Sequence, residues 1–171
     1  AAIHGDEIIG VEIIRRLINT PQMKSLRGTL ICVPIVNTYG FINHTRYLPD
    51  RRDLNRSFPG AATGSLAARL ARIFIDEIVA RCDVGIDLHS AAEHRVNLPQ
   101  LRIDSGSRRV MELAEAFAPP VIVQSKLRDG SLRMAARELG KDVLVYEAGE
   151  ALRFDESAIR LGVKGNLRVL H

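Results

Sequence analysis

The sequence predicts a three-layer α/β/α domain, a sheet with helices on both faces, and three observations lead there. Short β-branched and apolar runs alternate along the chain with stretches whose apolar residues recur at helical spacing. Polar residues able to do chemistry cluster where those apolar runs end, and in open α/β sheets ligands bind outside the carboxyl ends of strands. The composition suits one buried core: 171 residues, 46% hydrophobic and 26% charged, with a mean hydropathy of +0.01. Disorder and collagen-like repeats are thereby excluded, and residues 1–171 read as a single domain without internal repeat or linker.

Glu7 to Asn19 reads as an amphipathic helix, because Ile8, Ile9, Val11, Ile13, Ile14, Leu17 and Ile18 recur at helical spacing and Pro21 ends the pattern. Thr29 to Val36 is a β-branched run broken by Pro34, which predicts a strand with a local irregularity. Asn37 to Thr63, carrying Gly40, Pro49, Pro59 and Gly60, reads as a long loop of the kind that serves function. Ser65 is placed to cap a helix running to Arg81, with Leu66, Leu70, Ile73, Phe74, Ile78 and Val79 toward one side.

Val84 to Leu88 is a short apolar strand, and Ser107 to Ala118 a helix closed by Pro119 and Pro120. Val121 to Val123 is a further strand leading to a turn at Asp129 and Gly130. Ser131 caps a helix that ends at Gly140, and Val143 to Tyr146 forms the next strand. Asp155 then caps a last helix that offers Ala158, Ile159, Leu161, Val163 and Leu167 for burial.

The net charge is +4, and 20 of the 24 cations are arginine. The arginines are scattered in short pairs with no Trp among them, so the pattern gives no stacking platform for nucleic acid. No apolar run reaches the roughly 18 residues a membrane-spanning helix needs, and no signal-peptide pattern opens the chain, which points to a cytoplasmic protein. Cys32 and Cys82 stand fifty positions apart in apolar surroundings and read as buried free thiols. The chain opens without Met and reaches His-Gly-Asp-Glu by its fourth residue, so a start inside a domain, and hence a fragment, is expected.

His4 and Glu7 lie three apart at a strand-to-helix turn, where Gly5 allows a sharp bend and both side chains can face one point. Imidazole and carboxylate are zinc ligands, and a catalytic zinc site needs a third protein ligand. His89, ending the strand V-G-I-D-L-H, is the best candidate. Asp87, two residues earlier on the same side of the strand, can accept a hydrogen bond from the far nitrogen of either His89 or His4. An alternative is that His4 and Glu7 merely cap the helix.

In D-L-N-R-S-F-P-G, Asp53 to Gly60, Arg56 and Asn55 can recognise a substrate carboxylate, or the motif can be a simple turn with Asp53 bonding local backbone. Glu147 leaves a core strand at the ligand edge, placed either as a general base or as the partner of an arginine. His44, His94 and His171 have no partner at useful spacing. Ser57 and Ser90 lack a nucleophile elbow.

Taken together, H4-G-D-E7, D53-L-N-R-S-F-P-G60, D87-L-H89-S and Y146-E147-A-G resemble, in order, the motifs of the succinylglutamate desuccinylase/aspartoacylase family. The resemblance runs to about Gly149 and implies a zinc-carboxypeptidase-like fold with a mixed, mostly parallel sheet, and an incomplete catalytic domain truncated at both ends. It implies one Zn²⁺ per chain on His4, Glu7 and His89, with Glu147 as general base. Arg46 would stabilise the oxyanion, with Arg51 and Arg52 as rivals for that role, and Asn55 and Arg56 would hold a substrate carboxylate.

The activity implied is hydrolysis of the amide bond of an N-acyl amino acid or related small carboxylate. A carboxypeptidase-like metallopeptidase is one alternative, and a non-catalytic anion- or RNA-binding protein on the same scaffold is another. The expected partner is a small molecule rather than nucleic acid or membrane, and a homo-oligomer is compatible with the sequence.

Overall fold

The computed structural model describes residues 1–104 and 106–171. Among the described residues, six α-helices and four strands follow one another as α1 (Ile9–Ile18), α2 (Thr38–Ile42), α3 (Leu66–Glu77), β1 (Val84–Ala91), β2 (Asn97–Ile103), α4 (Arg108–Phe117), β3 (Val121–Gln124), α5 (Leu132–Glu138), β4 (Asp142–Glu150) and α6 (Glu156–Leu170). The sheet order is β1-β4-β2-β3. β1 runs parallel to β4 and β2 to β3, while β2 and β4 are antiparallel, so the sheet is mixed with two parallel pairs.

Period-two alternation sends side chains of each strand to two different cores. Leu88, Leu101, Ile103, Leu144 and Tyr146 face α1, α4 and α6, whose Ile9, Ile13, Val110, Phe117 and Ile159 complete that core. Val143 faces the opposite layer, where Ala71 and Ile75 of α3 meet Leu132, Ala135 and Ala136 of α5. The helices begin where the side-chain caps lie. Ser65, Ser107, Ser131 and Asp155 each accept a backbone N–H from the first turn they precede.

Several elements differ from the sequence expectation. Thr29 to Val36 forms no strand and joins no sheet. Its contacts are Ala1 N to Val33 O, Val36 N to Ala1 O and Asn37 N to Ala2 O. A strand needs a neighbour to satisfy its backbone, and between Thr29–Val33 and β1 lies an apolar cavity of about 640 Å³. Cys32 and Cys82 border that cavity and are free but only half-buried, because it leaves one side of each open. The long loop contains α2 and a 3₁₀ turn over Leu54–Arg56, each opened by a side-chain cap, from Asn37 and Asp53 respectively.

β2 is a strand the sequence reading left unassigned. Pro99 falls where its register with β4 shifts between Asn97 and Gln100, so the missing N–H breaks no regular pair. β1 and β4 are also longer than expected, and His89 and Glu147 lie inside them rather than beyond their ends. In α6 the buried residues are Ala158, Ile159, Gly162, Gly165 and Asn166. Leu161, Val163 and Leu167 are only partly buried. Small residues let α6 lie close to its neighbours: a Cβ on Gly165 would stand 2.2 Å from the Phe117 ring. Gly165→Ala is therefore expected to destabilise the fold by about 1–3 kcal/mol, although alanine is the better helix former. Urea unfolding would measure this, and a more stable variant would contradict the tight contact.

Gly5 is required for a reason other than a bend. A Cβ there would lie 1.9 Å from the Gly40 carbonyl carbon and 2.2 Å from the Phe41 nitrogen, so only glycine lets the His4 turn press against the backbone of α2. No helix among the described residues is long and apolar enough to cross a membrane.

Candidate metal centre and active site

The face of the sheet that carries Val143 also carries Asp87 and His89 of β1 and Glu147 of β4, since alternate residues share a side. Glu147 is in register with His89 on one side and with Gln100 of β2 on the other. The turn before α1 brings His4 and Glu7 to the same place. All three of His4, Glu7 and His89 are buried, and they offer ligand atoms that lie within 4.8 Å of one another.

Glu7 holds the two imidazoles together. Its Oε1 lies 2.7 Å from His4 Nδ1, and its Oε2 lies 2.6 Å from His89 Nδ1. The far ring nitrogens each meet their own carboxylate, Asp53 Oδ1 at 3.1 Å from His4 Nε2 and Asp87 Oδ2 at 2.8 Å from His89 Nε2. Asp87 thus serves His89, a choice the sequence left open. Asp53 does two things at once, because its Oδ1 also accepts the Asn55 backbone N–H at 2.8 Å. Its pairing with His4 bridges 49 positions and has no local signal in the sequence.

Arg46 joins this cluster. Its Nε and Nη2 donate to Asp53 Oδ2 at 3.2 and 2.9 Å, and its Nη1 reaches Glu7 Oε1 at 3.2 Å. Arg51 and Arg52 are exposed in a turn closed by Arg51 N to Leu48 O. Among the three arginines weighed from the sequence, the structure brings Arg46 to the trio.

Burial works against charge on every member, yet the mutual pairing wins. Burial pushes the pKa of His4 and His89 down, but carboxylates reverse this, Asp53 and Glu7 at His4 and Asp87 and Glu7 at His89, so both are raised. Burial pushes the carboxylates up, but the imidazoles pull Glu7, Asp53 and Asp87 below the ordinary range, with Arg46 adding to the effect on Asp53. Each imidazole faces acceptors at both nitrogens, so two imidazolium cations and Arg46 balance three carboxylates.

That balance tests whether a metal fits. Exchanging the Nδ1 protons of His4 and His89 for one divalent cation leaves the net charge of the buried cluster unchanged. The ring nitrogens are held by carboxylates, as the far nitrogens of metal-binding histidines commonly are. Two imidazoles and a carboxylate are a donor set for zinc or a similar transition ion.

The trio lies in a polar pocket of about 320 Å³ that also contains Arg46, Asn55, Arg56 and Glu147. Glu147 Oε2 accepts from Asn97 Nδ2 at 2.7 Å and pairs with Arg102 Nη2 at 3.1 Å, so the arginine-partner reading of Glu147 and its place in the pocket hold together. Asn55 Oδ1 accepts the Leu132 N–H at 2.9 Å, which orients the amide and leaves its NH₂ as donor. Arg56 is exposed at the rim, its pKa lowered by burial of part of its guanidinium and by Arg128 and Arg46 nearby, against the pull of Asp53. Ser57 and Ser90 donate to main-chain carbonyls of Asp53 and Ala91, and His44, His94 and His171 are exposed. Arg102 and Arg133 were not singled out from the sequence, although both border the pocket.

A mixed sheet between two helix layers, with a His/Glu/His cluster between β1 and the turn before α1, defines a carboxypeptidase-like fold with a metal-binding donor set. The chain belongs to the succinylglutamate desuccinylase/aspartoacylase family: the profile of that family's catalytic domain matches residues 1–171. It is 33% identical over 126 residues to an N-alpha-acetyl-L-2,4-diaminobutyric acid deacetylase of Halomonas elongata, covering 70% of this chain and 37% of that protein. The crystal structure of a succinylglutamate desuccinylase/aspartoacylase from Rhodobacter sphaeroides superposes with a TM-score of 0.90 at 28% identity, covering 99% of this chain and 53% of the other. A murein-tripeptide amidase, MpaA, from Escherichia coli O157 shares the fold, with a TM-score of 0.68 at 21% identity over 99% of this chain and 79% of its own. The chain therefore spans about half the length of its solved desuccinylase relative and less of the curated one.

Proposed function

We propose that this domain is the catalytic core of a zinc-dependent hydrolase that cleaves the amide bond of an N-acyl amino acid. The observation that carries the reading is the convergence of His4, Glu7 and His89 in one pocket with Arg46, Glu147, Asn55 and Arg56. Family membership and the deacetylase relative support amide bonds as the target.

His4, Glu7 and His89 would hold one zinc ion, which when bound lowers the pKa of water and polarises a carbonyl oxygen. Glu147 would take the proton from the attacking water at a side-chain oxygen and return it to the departing amine nitrogen. Asn97 and Arg102 anchor one of its oxygens and leave the other for this task. Arg46 is held by Asp53 with a cationic edge beside the trio, where negative charge develops on the carbonyl oxygen. The Asn55 NH₂ and the Arg56 guanidinium would bind the substrate carboxylate.

The test is elemental analysis of the purified full-length protein together with an assay of N-acyl amino acids beside short peptides. About one zinc per chain and turnover of N-acyl amino acids are expected, with loss of rate when the substrate carboxylate is amidated. Turnover of peptides alone would move the protein to the metallopeptidase class. A protein without metal or hydrolysis would refute the enzyme reading.

A further inference from the structure

Asn55 and Arg56 stand on the 3₁₀ turn Leu54–Arg56, whose backbone is capped by Asp53. That turn rests on a second one far along the chain, which is closed by Ser131 N to Arg128 O at 3.1 Å and leads into α5. The two meet at three points. The Phe58 N–H donates to the Gly130 carbonyl at 3.0 Å, and the Leu132 N–H donates to Asn55 Oδ1 at 2.9 Å across 77 positions. Gly130 packs directly on the Arg56 main chain: a Cβ there would stand 2.6 Å from the Arg56 carbonyl oxygen and 2.8 Å from its carbonyl carbon. Its φ is +71°, so both the space and the backbone conformation require glycine.

These contacts reach the side chains that face the substrate. Ser131 accepts the Met134 N–H, which leaves the Leu132 N–H at the start of α5 for Asn55. An amide that accepts through Oδ1 has its NH₂ turned the other way, so this bond sets the direction of the donor. Arg56 Nη1 in turn donates to the Asn55 carbonyl, and a shift of the Arg56 main chain moves both groups. Leu54, Phe58 and Leu132 share one buried cluster, which keeps the two turns pressed together.

We infer that Gly130 and the Leu132 main-chain N–H are positioning elements for carboxylate recognition, because the turn before α5 is the seat that aims Asn55 and Arg56. This rests on the proposed assignment of the substrate carboxylate to those two residues. Two-point recognition of a carboxylate depends on the relative direction of its donors, so a seat displaced by one methyl group costs selectivity for the carboxylate before it costs chemistry.

Calorimetry on the full-length protein prepared free of metal, so that no ligand is consumed, reads the preference for N-acetyl-L-alanine and N-acetyl-L-glutamine over their carboxamides. The wild type is expected to favour the carboxylates about tenfold or more, and Gly130→Ala to reduce this to about threefold or less. On the zinc-loaded protein the loss should appear in KM, with kcat within about threefold and zinc content unchanged. In an Arg56→Ala background, Gly130→Ala should remove little further preference, since both changes act on one contact. Leu132→Pro deletes the N–H at the first residue of α5, where proline is tolerated after the extended Ser131 (ψ 152°). Leu132→Ala shortens the same side chain and keeps the N–H, so the preference should fall further in the proline variant.

A Gly130→Ala protein with the wild-type preference, or one that loses affinity equally for acid and carboxamide, would overturn the inference and leave the hydrolase reading intact. If Gly130→Ala does not fold, Leu132→Pro against Leu132→Ala decides it. A wild type without any preference would remove Asn55 and Arg56 from carboxylate binding, and the inference falls with that assignment. Loss of preference in the variants of a protein that shows neither zinc nor turnover would instead refute the hydrolase reading and leave the positioning role standing.

Discussion

Glu147→Gln is expected to lower kcat by about 10²- to 10⁴-fold, the usual worth of a positioned general base. Glutamine keeps the shape and can still accept from Asn97 and Arg102, which hold Glu147 Oε2, but it cannot take a proton. Metal content should stay at the wild-type level, because Glu147 is not one of the three clustered ligand residues. Steady-state kinetics with elemental analysis of the same preparation checks both halves. A variant within tenfold of wild type would remove Glu147 from the base role and leave it as a partner of Arg102.

Glu7→Gln is expected to weaken zinc binding by on the order of 10³-fold or more, since one of three ligands is lost where total binding energy is large. The same carboxylate also holds both imidazoles in place, so ligand loss and loss of preorganisation act together. Asp87→Asn, which touches only the far nitrogen of His89, should cost less, about 10- to 100-fold. Competition with a chromophoric chelator ranks the two variants, and equal losses would show that the outer carboxylates matter as much as the ligand.

The shifted pKa values give these measurements a pH dependence of definite sign. His4 and His89 are raised, so their contribution to stability is complete below about pH 6.5 and is lost as pH rises through the raised values. Glu7, Asp53 and Asp87 are lowered, so theirs is present above the ordinary carboxylate range and lost as pH falls through the lowered values. The metal-free protein should therefore lose thermal stability as pH rises from about 6.5 into the alkaline range, and zinc should reverse the loss. Zinc binding near neutrality should release about two protons, one from each Nδ1, which calorimetry in buffers of different ionisation enthalpy reads directly. Release near zero would mean that the imidazoles are not the ligands.

Local pattern made much of the fold legible. Helix faces and caps are written in a few neighbouring residues, so Ser65, Ser107, Ser131 and Asp155 announce the starts of α3, α4, α5 and α6 before any packing is known. β2 was illegible because Pro99 interrupts its pattern and only pairing with β3 and β4 makes it a strand. Thr29 to Val36 failed in the opposite sense, a good strand sequence that finds no sheet partner. The buried face of α6 was misassigned because its glycines matter through what lies opposite them, Ile13 and Phe117, rather than through their own hydrophobicity.

The candidate site divides in the same way. His4 with Glu7, and Asp87 with His89, lie close enough in sequence for spacing to suggest that each pair shares a point or a side. That Asp53 reaches His4 across 49 positions, and that Arg46 rather than Arg51 or Arg52 joins the trio, were decided by how the loop between α2 and α3 folds back on the α1 turn. The sequence by itself determined the chemical types available and the local elements that carry them, because those depend on neighbours along the chain. Only the tertiary structure decided the pairing of charges and the seating of Asn55 and Arg56 against the turn before α5, because hydrogen bonds and burial depend on distances in space that no local pattern encodes.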